Sequence, residues 1–365
     1  MLLRPQNYYL FSTCARFVPI FRVIPLAFDP KKANICTYKK FCVPLHSHSP
    51  RIEKPIMNPL SIITMNQHTL LSPFHFEGKG LHTGLHIHAS FHPAAPDSGV
   101  RICRSDLEGQ PTYQAVADYV TATERGTVLE CGEWKVSTVE HALSALYAMG
   151  VDNCLITVDG PEMPILDGSA KFYIDAIQQV GLQEQEAEQK IYVVTEKIEY
   201  TSEQGNQMLI LPSDHYAAEV TICYPSGLLR QQTAQLTNLA DYKQELSLAR
   251  TFCFVREIEP LLRRGLIKGG DLQNALVIYE TPMKQEDLDF MTDKLGQPRL
   301  DASQLGYLSQ LNYPNEPARH KLLDLIGDMS LCGYRLQGQI VALRPGHTFN
   351  TQCCKQLREK ILSEL

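Results

Sequence analysis

The sequence lacks any apolar run long enough to cross a membrane. Its most apolar stretch, YYLFSTCARFVPIFRVIPLAF, is interrupted by Arg16, Pro19, Arg22 and Pro25, whereas a membrane-spanning helix needs about 20 mostly apolar residues. The stretch also lacks the uninterrupted apolar core and small-residue cleavage site of a secretory signal. With 365 residues, of which 44% are hydrophobic and 20% charged, the chain is predicted to be globular, with about two domains.

Paired cysteines are also missing. The eleven cysteines are odd in number, none forms a CxxC pair, and Cys353 and Cys354 are adjacent. Disulfide frameworks and structural zinc sites use regularly spaced pairs, so these residues are interpreted as free thiols of a reducing compartment. A cytoplasmic location is therefore expected.

Basic residues are scarce beyond the first 64 positions. Residues 1–64 contain nine Lys and Arg against Asp29 and Glu53, which leaves 25 basic and 38 acidic residues in the remainder. A net negative charge over residues 65–365, without a cluster of basic residues, argues against nucleic-acid binding. The segment 1–64 is interpreted as a leader outside the fold. The alternative is an organellar transit peptide, which would place the protein in an organelle.

The remaining pattern predicts an α+β fold with two similar halves. Each half combines short strands with a histidine-bearing helix, and these helices end near Gly150 and Gly333. The polar segment QEQEAEQK (183–190) is taken as the boundary. The predicted parts are a first domain over 65–188, a second domain over 189–350 with a surface insertion at 283–317, and a final helix over 351–365.

The stretch RHKLLDLIGD contains the first candidate site. Read as a helix, it places His320, Asp324 and Asp328 on one face. In STVEHALSAL, Glu140 precedes His141, and neighbouring helical residues point about 100° apart, so one can bind a metal while the other addresses a water. Two histidines and one aspartate would leave a fourth position open, as in catalytic zinc sites. From spacing alone, a His320–Asp324 ion pair is an equal alternative.

Two further groups of histidines are candidates. His86 and His88 alternate on one strand face, and with His82 and His92 they form a rival metal cluster, although exposed strand residues are the favoured interpretation. His347 in RPGHTFN follows a glycine at a predicted strand end and is a candidate catalytic residue, with a turn histidine as the alternative. The sequence lacks a GxSxG elbow, a P-loop and a dinucleotide fingerprint.

Seven segments occur in one order between Met65 and Asn350: GKGLHTG, STVEHALSAL, PEMPILDGSA, LARTF, GLIKGGDLQNALV, RHKLLDLIGD and GHTFN. Together they resemble the zinc-dependent UDP-3-O-acyl-N-acetylglucosamine deacetylases of lipid A biosynthesis, most closely the Bacteroidota branch. The resemblance implies hydrolysis of the N-acetyl group with release of acetate, the committed step of that pathway. Its implied partners are the UDP-linked acylated aminosugar and water.

The resemblance also implies a role for each matching residue. One Zn²⁺ would be held by His141, His320 and Asp324, with Glu140 as general base. The other implied roles are His347 as acid or electrostatic stabiliser, Asp328 as its orienting carboxylate, Thr251 as oxyanion donor, and Phe252, Lys321 and Arg344 as substrate contacts. Arg344 stands where many relatives have lysine, and its guanidinium suits a phosphate. Whether His347 or Glu140 protonates the leaving amine stays open.

The implied fold is a β-α-α-β sandwich of two α+β domains, each with an insert. The second insert, about 255–282, would form a hydrophobic passage for the acyl chain. The apolar residues available for it are Ile258, Leu261, Leu262, Leu266 and Ile267. Two alternatives remain: a UDP-sugar-binding protein without turnover, and a zinc amidohydrolase acting on another acylated aminosugar.

Overall fold

The computed structural model describes residues 65–264 and 267–365. The predicted leader and Leu266 lie outside the described residues, as does the side chain of Leu261. The described part belongs to one compact unit of mixed helices and strands, and the prediction of an α+β fold is confirmed. Within it, each helix is too short or too polar to span a bilayer.

The first half builds a five-stranded sheet in the order β2-β3-β9-β4-β5. The strands of this half are β1 Asn66–Leu70, β2 Phe74–Lys79, β3 His86–Pro93, β4 Val100–Arg104, β5 Thr112–Gln114, β6 Val120–Ala122, β7 Val128–Cys131, β8 Trp134–Ser137, β9 Cys154–Val158 and β10 Leu182–Glu188. Its helices are α1 Glu140–Ala148 and α2 Lys171–Val180. Alternating buried residues in β3 and β9 place one sheet face in the core.

The second half repeats this plan with a five-stranded sheet in the order β12-β13-β20-β14-β15. Its strands are β11 Ile191–Val193, β12 Ile198–Thr201, β13 Gln207–Leu211, β14 Ala217–Cys223, β15 Gln231–Leu236, β16 Phe252–Phe254, β17 Leu276–Tyr279, β18 Gly306–Tyr307, β19 Arg335–Gln337 and β20 Gln339–Leu343. Its helices are α3 Tyr242–Glu245, α4 Val255–Arg263, α5 Gln285–Lys294, α6 Glu316–Ser330 and α7 His347–Glu364. Helix α6 packs on β14 and β15 with one side and on α1 with another, which agrees with helices at the centre of the predicted sandwich.

The two central helices approach each other at one glycine. A Cβ atom built on Gly327 of α6 would lie 2.1 Å from the carbonyl oxygen of Glu140, the first residue of α1. Only a residue without a side chain fits there. The same contact brings the functional candidates of RHKLLDLIGD to those of STVEHALSAL.

Two sequence-based predictions need correction. The last helix begins at His347 and not at residue 351, so His347 opens α7 and does not end a strand. The polar segment 183–190, predicted as the domain boundary, forms strand β10 up to Glu188 and pairs with β1. The insertion 283–317 is not all surface: Leu288 and Met291 of α5 are buried in a small second core with Val277.

The contact at Gly327 gives a stability test. Gly327→Ala should lower the free energy of unfolding by about 2 kcal/mol or more, because overpacking costs about 1–3 kcal/mol and here the obstacle is backbone that cannot rotate away. The better helix propensity of alanine, about 1 kcal/mol, offsets only part of this cost. Denaturant unfolding measures the change.

Gly227→Ala is the matched control, since a Cβ at Gly227 meets nothing within 4 Å. A Gly327→Ala protein as stable as the wild type would contradict the close approach of α1 and α6.

Candidate metal centre

Helices α1 and α6 bring His141, His320 and Asp324 together. All three side chains are buried, and their ligand atoms lie within 4.8 Å of one another. The Nε2 atom of His141 is 3.7 Å from Oδ1 of Asp324, and that of His320 is 3.2 Å from the same oxygen. Metal bonds of about 2.0–2.1 Å place ligand atoms at about these separations.

The imidazole rings are prepared to act as metal ligands. The Nδ1 atom of His320 bonds the carbonyl oxygen of Ala249 at 3.0 Å, so Nδ1 carries the proton and Nε2 keeps its lone pair. Burial lowers the pKa of His320, and it lowers the pKa of His141 to about 3. Both rings are therefore neutral at neutral pH, which argues against a simple ion pair with Asp324.

Asp324 supplies the clearest sign that a cation belongs here. Its Oδ2 atom accepts a hydrogen bond from Nζ of Lys321 at 2.7 Å, but its buried Oδ1 atom has no hydrogen-bond partner. Burial by itself would raise the pKa of this carboxyl, but the charges of Lys321 and His347 help to outweigh it and hold that pKa well below its usual range. A buried carboxylate oxygen without a partner is costly. The donor set of two imidazoles and this oxygen fits a divalent metal ion.

Glu140 stands beside this group at the start of α1. Burial raises the pKa of Glu140 to about 7, and the neighbouring charge of His347 opposes the rise only in part. Its Oε2 atom accepts a hydrogen bond from the backbone amide of Thr127 at 3.0 Å. A carboxyl with a pKa near neutrality, held by one oxygen, is suited to proton transfer.

His347 and Asp328 form a second buried pair on the same side. Nδ1 of His347 lies 3.0 Å from Oδ2 of Asp328, and Nε2 lies 3.7 Å from Asp324. Burial by itself would lower the pKa of His347, but the two aspartates outweigh it and raise that pKa to about 9. The ring is thus a cation at neutral pH, with Nε2–H free to donate.

Two residues of this network were missed by the sequence analysis. Thr127 donates from Oγ1 to Oδ1 of Asp328 at 2.5 Å, and Asn350 donates from Nδ2 to Oδ2 of the same carboxylate at 3.0 Å. Asn350 stands three positions after His347 in GHTFN, and helical spacing could have found it. Thr127 comes from the β6–β7 hairpin region, and nothing local in the sequence marks it.

Beside the group lies a cavity of about 560 Å³. Four predicted site residues line it: Thr251, Phe252, Lys321 and His347. Ile258 and Ile267 of the predicted passage also line it, whereas Leu262 packs against the second core. Arg344 is not among the lining residues: it is exposed, and its Nη1 atom donates to the carbonyl oxygen of Gln204 at 3.1 Å.

The structure does not bring the four histidines of the rival metal cluster together. His82 lines the cavity, whereas His86 and His88 lie on an exposed face of β3. His92 lies further along the same strand, and its Nε2 atom is 3.5 Å from Oγ1 of Thr157.

Known proteins match this chain over the segments that contain these site residues. A family model described as LpxC, UDP-3-O-acyl N-acetylglycosamine deacetylase, matches residues 67–295 and 300–359. The chain is 52% identical over 300 residues to the bifunctional enzyme LpxC/FabZ of Bacteroides thetaiotaomicron, covering 81% of this chain and 65% of that protein. It is 51% identical over 298 residues to the protein of the same name from Porphyromonas gingivalis, covering 81% and 64%.

A shorter relative is matched over most of its length. The UDP-3-O-acyl-N-acetylglucosamine deacetylase of Myxococcus xanthus is 34% identical over 300 residues, covering 82% of this chain and 87% of that protein. The chain thus spans just under two thirds of the two bifunctional relatives. The higher identity to the proteins of Bacteroides and Porphyromonas confirms the prediction of a Bacteroidota-like branch.

The hydroxyl of Thr127 gives a test of the buried network. Thr127→Val keeps the shape of the side chain but leaves Oδ1 of Asp328 without its donor, so the free energy of unfolding should fall by about 1–3 kcal/mol. Thermal or denaturant unfolding measures this loss. Thr121→Val is the control, because Thr121 donates to Glu130 at the exposed surface. Equal stability of the two variants would contradict the network.

Proposed function

Because the chain belongs to the family of UDP-3-O-acyl N-acetylglycosamine deacetylases, we propose that it hydrolyses the N-acetyl group of UDP-3-O-acyl-N-acetylglucosamine and releases acetate in lipid A biosynthesis. The observation that carries the proposal is the unpartnered Oδ1 atom of Asp324, buried between two neutral imidazoles and beside Glu140. Such a group is suited to hydrolysis, because it combines a metal site with a base.

We assign one Zn²⁺ ion to His141, His320 and Asp324. Two nitrogen ligands and one carboxylate oxygen are a donor set that zinc accepts, and three protein ligands leave room for water or substrate. When bound, zinc polarises the acetamide carbonyl and makes water more acidic.

Glu140 takes the proton from the attacking water in this proposal. Its Oε2 atom is held by the amide of Thr127, which leaves Oε1 to receive the proton. A pKa of about 7, raised by burial, matches this task near neutral pH. After water adds to the carbonyl carbon, either protonated Glu140 or His347 gives a proton to the leaving amine.

Two further groups act on the negative charge that develops on the carbonyl oxygen. Thr251 lines the cavity with a hydroxyl that can donate to this oxygen, and His347 contributes a positive charge fixed by Asp328. Donors that are already oriented before the reaction stabilise such a charge by a few kcal/mol. Lys321, held against Asp324 and 5.6 Å from the centre of the Phe252 ring, provides a positive charge for the polar substrate.

The cavity supports the proposed substrate class. Its lining includes apolar side chains suited to an acyl chain, namely Ile258, Ile267, Val277 and Leu295, and basic side chains suited to a diphosphate, namely Arg125, Lys268 and Lys321. A protein that binds the UDP-sugar without turnover would not need Glu140 at this place. A role of Arg344 in binding phosphate, the boundaries of the two domains and the cytoplasmic location stay predictions.

Metal binding and proton transfer can be separated by two variants. His320→Ala should bind one zinc ion fewer than the wild type and lose activity, because it removes a ligand of the buried group. Glu140→Gln should keep zinc but lower kcat by about 10²–10⁴-fold, the usual contribution of a general base. Metal analysis and acetate release measure both quantities, and Glu130→Gln, at a half-exposed glutamate of β7, should match the wild type. Full turnover by Glu140→Gln would rule out its role as base.

The apolar side of the cavity gives a test of substrate choice. Ile258→Asp should lower kcat/KM for the 3-O-acylated substrate about 10-fold or more, because burying an aliphatic side chain contributes about 1.5–3 kcal/mol. The rate for the substrate without the acyl chain should change little. Leu305→Asp, at an exposed leucine, is the control. Equal losses with both substrates would contradict the acyl passage and favour a different amide substrate.

A further inference from the structure

A second group of metal-ligand atoms lies outside the catalytic cavity. It consists of Glu77 on β2 and of His86 and His88 on β3. The antiparallel register places Glu77 directly opposite His88, and His86 two positions along on the same exposed face. The catalytic proposal uses none of these three residues.

The three ligand atoms converge on a common point. The Nε2 atoms of His86 and His88 lie 3.8 and 3.4 Å from the same oxygen, Oε2 of Glu77. Both distances exceed a normal hydrogen bond of about 2.7–3.2 Å. The atoms are thus too far apart to satisfy one another, yet they have the spacing that ligands adopt around an ion with bonds of about 2.0–2.2 Å.

The environment of His88 adds an independent observation. Its Nδ1 atom lies 2.7 Å from Oδ2 of Asp159, and its backbone amide donates to Oδ1 of the same aspartate at 2.7 Å. This arrangement fixes the proton on Nδ1 and directs the lone pair of Nε2 toward Glu77. A metal-binding histidine almost always donates its other ring N–H in this way, to a carboxylate, a backbone carbonyl or water.

The group matches the catalytic one in chemistry and spacing. Both consist of two imidazole Nε2 atoms and one carboxylate oxygen. The nitrogen-to-oxygen distances are 3.7 and 3.2 Å in the buried group and 3.8 and 3.4 Å in the exposed one. The difference is burial: the side chains of Glu77, His86 and His88 are 67, 60 and 55% exposed. An ion there keeps water ligands and exchanges with solvent.

We propose that Glu77, His86 and His88 form a second site for a divalent transition-metal ion, of the class of Zn²⁺, Ni²⁺ or Cu²⁺. Imidazole and carboxylate ligands suit these ions. The ion joins β2 to β3 at the base of the loop 80–85, whose Leu81 and His82 line the cavity. It therefore stabilises this hairpin, because a ligand that binds only the folded state raises its stability.

Titration of Zn²⁺ into the metal-free full chain tests the proposal. The wild type should bind one more zinc ion than His88→Gln or His86→Gln, whatever the number of ions at the catalytic group. The additional zinc equivalent that only the wild type binds should raise the Tm of the wild type. The same addition should leave the Tm of His88→Gln unchanged. His75→Gln is the matched control, since His75 is an exposed histidine of β2 outside the group, and it should bind as many ions as the wild type.

Acetate release separates this site from the catalytic one. With a single zinc equivalent, His88→Gln should work within about two-fold of the wild type, because its altered residue touches neither the cavity nor the buried ligands. Equal zinc stoichiometry of wild type and His88→Gln would overturn the proposal. So would a loss of the extra ion in His75→Gln, which would indicate binding at scattered surface histidines.

Discussion

The buried carboxylate of Asp324 sets the central constraint of this structure. One of its oxygens is neutralised by Lys321, and the other has no hydrogen-bond partner. A buried carboxylate oxygen without a partner is costly, and a cation bound to it removes that cost. The surrounding groups are arranged accordingly: His141 and His320 are neutral and offer lone pairs, while the charged ring of His347 is fixed by Asp328. The proposed zinc completes this arrangement.

The metal-ligand residues and Glu140 come from two different halves of the chain. His141 and Glu140 open α1, and His320 and Asp324 stand one turn apart on α6. Their meeting depends on the direct backbone approach at Gly327, where no side chain fits. A site assembled between two helices in direct backbone contact has its ligand atoms positioned by rigid elements, which favours both metal binding and a preorganised reaction.

Local patterns in the sequence predicted part of this site and missed part of it. Four-residue spacing placed His320, Asp324 and Asp328 on one helix face, and the ordered segments identified the partners on α1. Thr127 could not be found in this way, because its contacts with Glu140 and Asp328 exist only in the folded chain. The start of α7 was misplaced because RPGHTFN has no apolar periodicity, and the polar surroundings of Leu288 and Met291 hid their burial.

The most direct test of the account is X-ray absorption spectroscopy on the His88→Gln protein, in which the exposed group of Glu77, His86 and His88 is disrupted, loaded with one zinc equivalent. The account predicts a shell of nitrogen and oxygen ligands at about 2.0–2.1 Å, with the multiple scattering of two imidazoles. Replacement of His320 by alanine should remove one of these imidazoles or the ion itself. Sulfur ligands at about 2.3 Å, or a zinc environment unchanged by that replacement, would contradict the assignment of zinc to His141, His320 and Asp324.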